Sequence, residues 1–283
     1  MGIPRAMNDL GACYSQGRGV EQDFAQAARW FREAARRGDE VAMHNLGLCY
    51  AQGDGVAQDW AKAVHWFQQS ARQGQLEAMY NLGTCYAEGR GVARDWSLAV
   101  RWFGKAAERG HSQAMTSLGI CYARGLGTDR NPEVALEWFR RAAAEGDPQA
   151  MVLLGVPFRY GHGTPQDFEA AVGWFRRAVE LGEPEGMSWL GYAYERGEGF
   201  DRDFGEAARL YRNAAEKRDP LAMLGLARCY DLGRGVTRSA KEAALWYRRV
   251  LADRRLEPAL RTRAAAALKR LEALRSSPET RTE

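Results

Sequence analysis

The chain has 283 residues, of which 46% are hydrophobic and 27% are charged, within the ordinary range for a folded soluble protein. Its formal net charge of +4 is too small by itself to indicate a nucleic-acid binder. No apolar stretch approaches the roughly 18 residues that a membrane-spanning helix needs, so we expect no membrane insertion.

One motif recurs every 36 residues without insertion or deletion, and its methionines mark seven copies: Met7, Met43, Met79, Met115, Met151, Met187 and Met223. A Gly-x-Gly pair follows each methionine at a constant distance. A fixed period of this length is typical of a solenoid, in which each unit contacts only its neighbours.

The second copy predicts two helices joined by a glycine-rich turn. Asp39 is a good N-cap for a first helix that runs to about Gln52. Asp59 is placed to cap a second helix that ends near Gly74, and the equivalent acids of other copies are interpreted as caps too. Gly47 is expected to let another backbone approach closely.

The motif resembles a known repeat family. Leu46, Gly47 and Tyr50 resemble the tetratricopeptide repeat. The period, the turn and the second-helix pattern together resemble the Sel-one-like repeat (SLR) family, and that pattern is seen as Ala99, Trp102, Phe103, Ala106 and Ala107. The resemblance implies an adaptor, because members of such families mostly bind varied protein partners.

The predicted fold is all-α, a right-handed αα-superhelical solenoid of 36-residue helix-turn-helix repeats. We expect residues 2–251 to form seven SLR repeats in one solenoid. An amphipathic segment at residues 257–275 is predicted to be a C-terminal capping helix, and residues 276–283 a frayed tail.

Five cysteines occupy one repeat position: Cys13, Cys49, Cys85, Cys121 and Cys229. Stacked helices place equivalent atoms about 10 Å apart, too far for a disulfide. These residues are interpreted as small core side chains with reduced thiols. Reduced thiols mildly favour the cytoplasm, and a periplasmic or secreted location would follow if an upstream signal had been removed.

One branch of the family is cysteine-rich and is linked to penicillin binding and β-lactamase activity. The positions expected to hold its cysteines are alanines here, for example Ala35 and Ala42. Neither Ser-x-x-Lys nor Lys-Thr-Gly occurs, so the sequence offers no catalytic residues for that chemistry. No histidine pair has metal-ligand spacing, and neither a metal nor a cofactor is expected.

The candidate binding site comes from differences between the copies. Positions one, five and nine after each methionine form a stripe on the first helices, polar at the start and aromatic or basic from the fifth copy. Aromatic and Arg side chains dominate interface hot spots. The predicted partner-binding patch is Tyr160, Trp189, Tyr192, Arg196 and Arg228. In the alternative interpretation, Trp189 packs against the neighbouring repeat, where Gly225 leaves space.

Pro157 lies deep in the first helix of the fifth copy, where it removes a backbone hydrogen bond and should kink the helix. Two interpretations remain open. The bend opens the groove at the patch, or it is drift tolerated by a robust array.

The sequence favours a non-enzymatic adaptor that holds a peptide or protein in a concave groove. One alternative is a cell-wall-related or β-lactam-interacting hydrolase. Another is a polyanion or nucleic-acid binder that uses a basic convex ridge on the second helices. That ridge is favoured as a solvated face that keeps the solenoid soluble, because neighbouring glutamates dilute its charge, and no aromatic residues are expected among its basic ones for stacking: Arg32, Arg140, Arg141, Arg176, Arg177, Arg212, Arg248 and Arg249.

The first helix has no polar capping element ahead of it and would expose Met7 and Leu10. Solenoid ends usually need such an element. The sequence therefore leaves two interpretations, missing upstream repeats or end-to-end self-association.

Overall fold

The computed structural model describes residues 2–253 and 255–276, and for residues 274–276 the backbone alone. The chain divides into two compact units, Met1–Gly146 and Asp147–Glu283. The described residues contain fifteen helices and no strand, and consecutive helices pack as hairpins, so the predicted all-α solenoid of helical repeats is confirmed. None of the described helices has the length and apolarity needed to cross a membrane.

The first unit contains eight helices: α1 (Gly2–Gln16), α2 (Phe24–Arg36), α3 (Glu40–Gln52), α4 (Trp60–Arg72), α5 (Leu76–Glu88), α6 (Trp96–Ala107), α7 (Ser112–Arg124) and α8 (Pro132–Ala144). The second unit contains seven: α9 (Pro148–Tyr160), α10 (Phe168–Glu180), α11 (Pro184–Arg196), α12 (Phe204–Glu216), α13 (Pro220–Leu232), α14 (Ala240–Ala252) and α15 (Pro258–Ser276). Within each unit every helix packs against the helices next to it in the chain. Residues 277–283, most of the predicted tail, lie outside the described residues.

The helices begin where the capping side chains predict. An aspartate carboxylate accepts a hydrogen bond from a backbone N–H in the first turn of each of five second helices, which confirms their interpretation as caps: Asp23, Asp59, Asp95, Asp167 and Asp203. The first glycine of each turn closes the preceding helix with positive φ, as Gly53 does at +85°. Local sequence therefore sets the length of each hairpin.

A phenylalanine from the second helix packs onto the glycine of the first helix. A Cβ atom on Gly47 would lie 2.6 Å from the ring of Phe67, which is 2% exposed, and 3.3 Å from the carbonyl oxygen of Ala63. The expected backbone approach is thus present, but an aromatic ring comes closer still. The ring fills the space that the missing side chain leaves.

The cysteines are free thiols, and four of the five are buried: Cys49, Cys85, Cys121 and Cys229. Burial raises the pKa of each of these four to about 11. They are therefore protonated at neutral pH and pack as small apolar side chains.

Helix α9 is continuous through Pro157 and keeps the 13-residue length of the other first helices of its unit. The amide N–H of Gly161 donates to the Pro157 carbonyl oxygen at 2.8 Å, which closes the helix at the usual repeat position. The bend at Pro157, and its effect on a groove, stay predictions.

Polar side chains on and beside the stripe in the first unit bond one first helix to the next. The Asn45 amide donates to Asn8 Oδ1 at 2.9 Å, and Asn81 Nδ2 lies 2.9 Å from His44 Nε2. Because an amide N–H can only donate, the His44 ring accepts and is held neutral at this nitrogen. Burial is the largest influence on His44 and lowers its pKa.

We expect the first unit to lose stability as the pH falls from about 7.5 to about 5.5. The unfolded chain binds a proton at His44 below about pH 6.5, whereas the folded chain resists it, so the stabilisation is complete above that pH and declines below it. Urea unfolding across this range measures the effect. The His44→Gln variant should show a flatter profile, and an identical slope in both proteins would contradict the assignment.

Candidate functional site

Charged side chains lie in the core of the second unit at one recurring position of the first helices, eight residues after the methionine. Earlier in the chain this position holds small residues: Ser15, Ala51, Ala87 and Ala123. From the fifth repeat onward it holds Arg159, Glu195 and Asp231, which are 6%, 9% and 5% exposed. Because a buried charge is costly unless it is paired, the partners of these residues define the site.

Arg159 is paired with a carboxylate from the next repeat. Its Nε donates to Glu198 Oε2 at 2.7 Å and its Nη2 donates to Glu198 Oε1 at 3.0 Å. Both side chains are almost fully buried, at 7% and 11% exposed. This is the bidentate geometry that makes arginine–carboxylate pairs strong and directional.

Three aromatic rings surround the same guanidinium. Its Cζ lies 4.4 Å from the centroid of the Tyr160 ring, 4.6 Å from that of Tyr192 and 5.5 Å from that of Trp189. We call these three rings the aromatic enclosure. Arg159 Nη1 is buried and has no hydrogen-bond partner among the described residues. The cation thus holds the rings in place by cation–π attraction.

Trp189 contributes both to packing and to the exposed surface. Its ring stacks on Phe175 of the preceding repeat at 5.9 Å, and its Nε1 donates to Glu185 Oε1 at 3.3 Å. The space at Gly225 is taken by the ring of Tyr211 instead. Trp189 and Tyr192 are half-buried and Tyr160 is 47% exposed, so part of the aromatic enclosure stays accessible.

The ion pairing continues through the next repeats. Glu195 Oε1 accepts a hydrogen bond from Arg228 Nη2 at 2.7 Å and lies 3.6 Å from Arg234 Nη1. Asp231 pairs with Arg270 of α15. Buried charges therefore connect the fifth repeat to the sixth, the sixth to the seventh and the seventh to α15.

Tyrosine replaces phenylalanine on the second helix wherever a buried carboxylate stands opposite. Tyr211 donates to Glu195 Oε2 at 3.1 Å and Tyr247 donates to Asp231 Oδ2 at 3.4 Å. Burial and the adjacent carboxylate raise the pKa of Tyr211 well above its usual value, and that of Tyr247 to about 12. Both hydroxyls are therefore protonated donors at neutral pH.

Replacing Tyr211 by phenylalanine should lower the free energy of unfolding of the second unit by about 1–2 kcal/mol, because Glu195 loses a buried donor. Tyr230→Phe is the matched control, since its hydroxyl accepts a hydrogen bond from Arg212 at 3.4 Å in an exposed contact. Chemical denaturation measures both. Equal stabilities of the two variants would contradict a role for the buried hydroxyl.

An apolar pocket of about 210 Å³ opens beside the aromatic enclosure. Four of the five residues predicted for the partner-binding patch line it: Tyr160, Trp189, Tyr192 and Arg228. Leu221, Leu224 and Leu260 form much of the rest of its wall. The structure thus brings together residues from three successive first helices and from α15.

Arg196, the fifth residue of the patch, lines an adjoining depression of about 440 Å³ that we call the basic cleft. Arg202, Arg228 and Arg234 also line it, together with Glu195 and Glu198. Tyr192 and Arg228 are shared by the pocket and the cleft, so the two form one continuous surface.

Arg159, Glu195 and Glu198 were not predicted as site residues. The predicted stripe lies one, five and nine residues after the methionine, whereas Arg159 and Glu195 occupy the eighth position, which is buried. The signal was present in the sequence as a small residue replaced by charged ones at one core position of the repeat.

The basic residues of the second helices differ from expectation in one respect. Arg141, Arg177 and Arg249 each lie over a tryptophan three residues earlier, at 4.5–4.7 Å from the ring centroid. The expectation that aromatic residues are absent from this face is therefore wrong, since residues three apart share a helix face. These rings are half-buried or buried and already covered by the chain's own cations.

The described residues contain no group of three or more His, Cys, Asp or Glu side chains placed to hold a metal ion. The site is instead built of rings, aliphatic side chains and ion pairs carried on stacked helical hairpins. These features define an all-α helical-repeat protein.

The chain belongs to the Sel1 repeat family. The family model matches seven times, at residues 4–39, 41–75, 76–111, 112–147, 148–183, 184–219 and 220–249. This confirms the resemblance to the SLR family and supports a role as a protein-interaction scaffold. A comparison with curated proteins gave no match.

Solved structures of the same kind are similar to this chain. A Sel1 repeat protein from Oxalobacter formigenes matches 89% of this chain and 99% of its own, with 27% identity and a TM-score of 0.80. The protein c5321, a protective antigen of uropathogenic Escherichia coli with an SLR fold, has 34% identity and a TM-score of 0.73 over 95% of this chain. This chain spans 58% of the length of c5321. Yeast Tom70, at 16% identity and a TM-score of 0.51, shares the fold alone.

Proposed function

We propose that this chain is a non-enzymatic adaptor that binds a peptide or protein partner at the apolar pocket and the basic cleft of its second unit. The observation that supports it most directly is the accessible aromatic enclosure, whose three rings come from two first helices and are fixed by a buried arginine. Rigid aromatic side chains beside arginines are the usual composition of an interface hot spot.

The arrangement suits binding better than catalysis. Two buried groups near the pocket illustrate this: the Tyr211 hydroxyl, whose pKa burial raises, is a committed hydrogen-bond donor, and burial raises the pKa of the Cys229 thiol to about 11. Neither is an activated nucleophile or base at neutral pH. The surface offers shape, apolar area and charge instead.

A pull-down from a lysate of the source organism tests the proposal. A Trp189→Ala/Tyr192→Ala double variant should lose a protein that the native chain retains, provided its helicity and melting are unchanged. Tyr160→Ser is a milder second variant, because this ring is 47% exposed. The control Leu181→Ser removes an apolar side chain that lies outside the pocket and is 54% exposed, and this variant should retain the protein. Retention by all variants would place the function elsewhere.

A further inference from the structure

Three of the polar side chains that line the apolar pocket are already hydrogen-bonded within the chain. Ser188 Oγ donates to Asp219 Oδ1 at 2.6 Å, and both Tyr211 and Arg228 hydrogen-bond to Glu195. A polar occupant would therefore have to compete with these bonds for its own partners. The pocket thus favours an apolar group.

The size of the pocket limits that group to a single side chain. Its volume of about 210 Å³ lies below the roughly 300–1,000 Å³ typical of sites for small molecules and cofactors. Its lining of leucines and aromatic rings matches an aliphatic or aromatic side chain presented by a larger partner.

The basic cleft next to the pocket carries an excess of positive charge. Four arginines and two glutamates line it, and both glutamates already accept short hydrogen bonds, Glu198 from Arg159 and Glu195 from Arg228. Arg196 and Arg234 have 61% and 44% of their side chains exposed and meet these carboxylates only at 3.6 Å. Their planar guanidinium groups therefore have donors to offer to a carboxylate from outside.

We propose, in an inference that rests on the proposed function, that the partner is an acidic peptide segment. One apolar side chain occupies the pocket, and the flanking Asp or Glu carboxylates lie on the exposed arginines of the cleft. Charge complementarity supplies the orientation and burial of the anchor supplies much of the affinity.

Nucleic acid fits this surface less well. One face of each ring is already in use, since Arg159 lies over Tyr160 and Tyr192 and Trp189 stacks on Phe175, so fewer faces are left for bases. The two carboxylates in the wall of the cleft also oppose a run of phosphates. A peptide with separated carboxylates avoids both obstacles.

Selection of random peptides displayed on phage, with the full chain as bait, tests the inference. The selected peptides should share an apolar residue next to acidic ones. Fluorescein-labelled copies of a selected peptide are then measured by fluorescence polarisation, together with a version whose Asp and Glu are replaced by Asn and Gln. We expect the amide version to bind at least about tenfold more weakly.

Two chain variants separate the anchor from the charges. Leu224→Trp fills the pocket without changing charge, and Arg196→Gln/Arg202→Gln removes two positive charges from the cleft. Each should weaken binding of the acidic peptide about tenfold or more. Arg212→Gln/Arg249→Gln makes the same charge change on the second helices and should leave binding unchanged. Tyr160→Ser replaces the pocket-filling variant if that one fails to fold.

Several results would overturn the inference. Selected peptides without acidic residues would do so, as would equal binding to the native chain and to Arg196→Gln/Arg202→Gln. If selected peptides without acidic residues bound the native chain but not the Trp189→Ala/Tyr192→Ala variant, the proposed function would still stand. Failure to select any peptide also overturns the inference, and the lysate experiment then decides the proposed function separately. Tighter binding of a fluorescein-labelled oligothymidylate than of any selected peptide would assign the surface to nucleic acid.

Discussion

Replacing Glu198 by alanine is expected to lower the free energy of unfolding of the second unit by about 3–5 kcal/mol. The substitution leaves the guanidinium of Arg159 buried, with its two short hydrogen bonds lost and a third nitrogen already without a partner. Urea denaturation followed by tryptophan fluorescence measures the loss. The aromatic enclosure should loosen at the same time, because its cation is no longer anchored.

Asp54→Ala is the matched control, since Asp54 occupies the equivalent turn position in the second repeat, opposite a small residue. It should change stability by less than about 0.5 kcal/mol. An Arg159→Met/Glu198→Gln double variant should recover most of the loss, because it removes the buried charge together with its partner. A loss below about 1 kcal/mol for Glu198→Ala would show that the pair is no stronger than an exposed one.

The second large effect is expected for Phe67→Ala in the first unit, at about 3–5 kcal/mol. The ring is 2% exposed, covers Gly47 and lies 5.8 Å from the ring of His44, so its removal leaves a cavity at the centre of a hairpin. Thermal or chemical unfolding of the full chain measures it.

Phe24→Ala makes the same chemical change at a position that is 40% exposed and should cost less than about 1 kcal/mol. A companion substitution, Gly47→Ala, should cost about 1–3 kcal/mol, since the new Cβ would meet the Phe67 ring at 2.6 Å. If Phe67→Ala and Phe24→Ala were equally stable, the ring would not be a structural centre of the hairpin.

The fold could be predicted from the sequence because its determinants are local and repeated. The period, the capping aspartates and the glycine-rich turns act within one hairpin and specify the same hairpin each time. The patch was predicted in part for the same reason: Tyr160, Trp189, Tyr192 and Arg228 do line one pocket, since equivalent positions on stacked helices must be neighbours. Whether a partner binds there stays a prediction.

The buried charged residues of the site depend on contacts between repeats, and a surface stripe does not reveal such contacts. Arg159 and Glu198 are 39 residues apart, so their pairing follows from how one turn packs against the helix of the preceding repeat. The cation–π contact of Arg159 with Trp189 also joins two repeats. Comparison of the copies at core positions, rather than at exposed ones alone, is what would have indicated these residues.

The same 39-residue spacing has a consequence for which hairpins can be gained or lost by recombination. It recurs from Glu195 to Arg234 and from Asp231 to Arg270 with the charges reversed, so each of the last hairpins presents a charge that needs a successor of opposite charge. The first four hairpins carry a small residue at the position eight residues after the methionine, so they could be duplicated or deleted at little cost. The last three and α15 form instead an ordered set, in which exchanging two members would bury charges without partners. Loss of the sixth hairpin should be the most costly change, because it would set Arg234 against the buried Arg159 in place of Glu198.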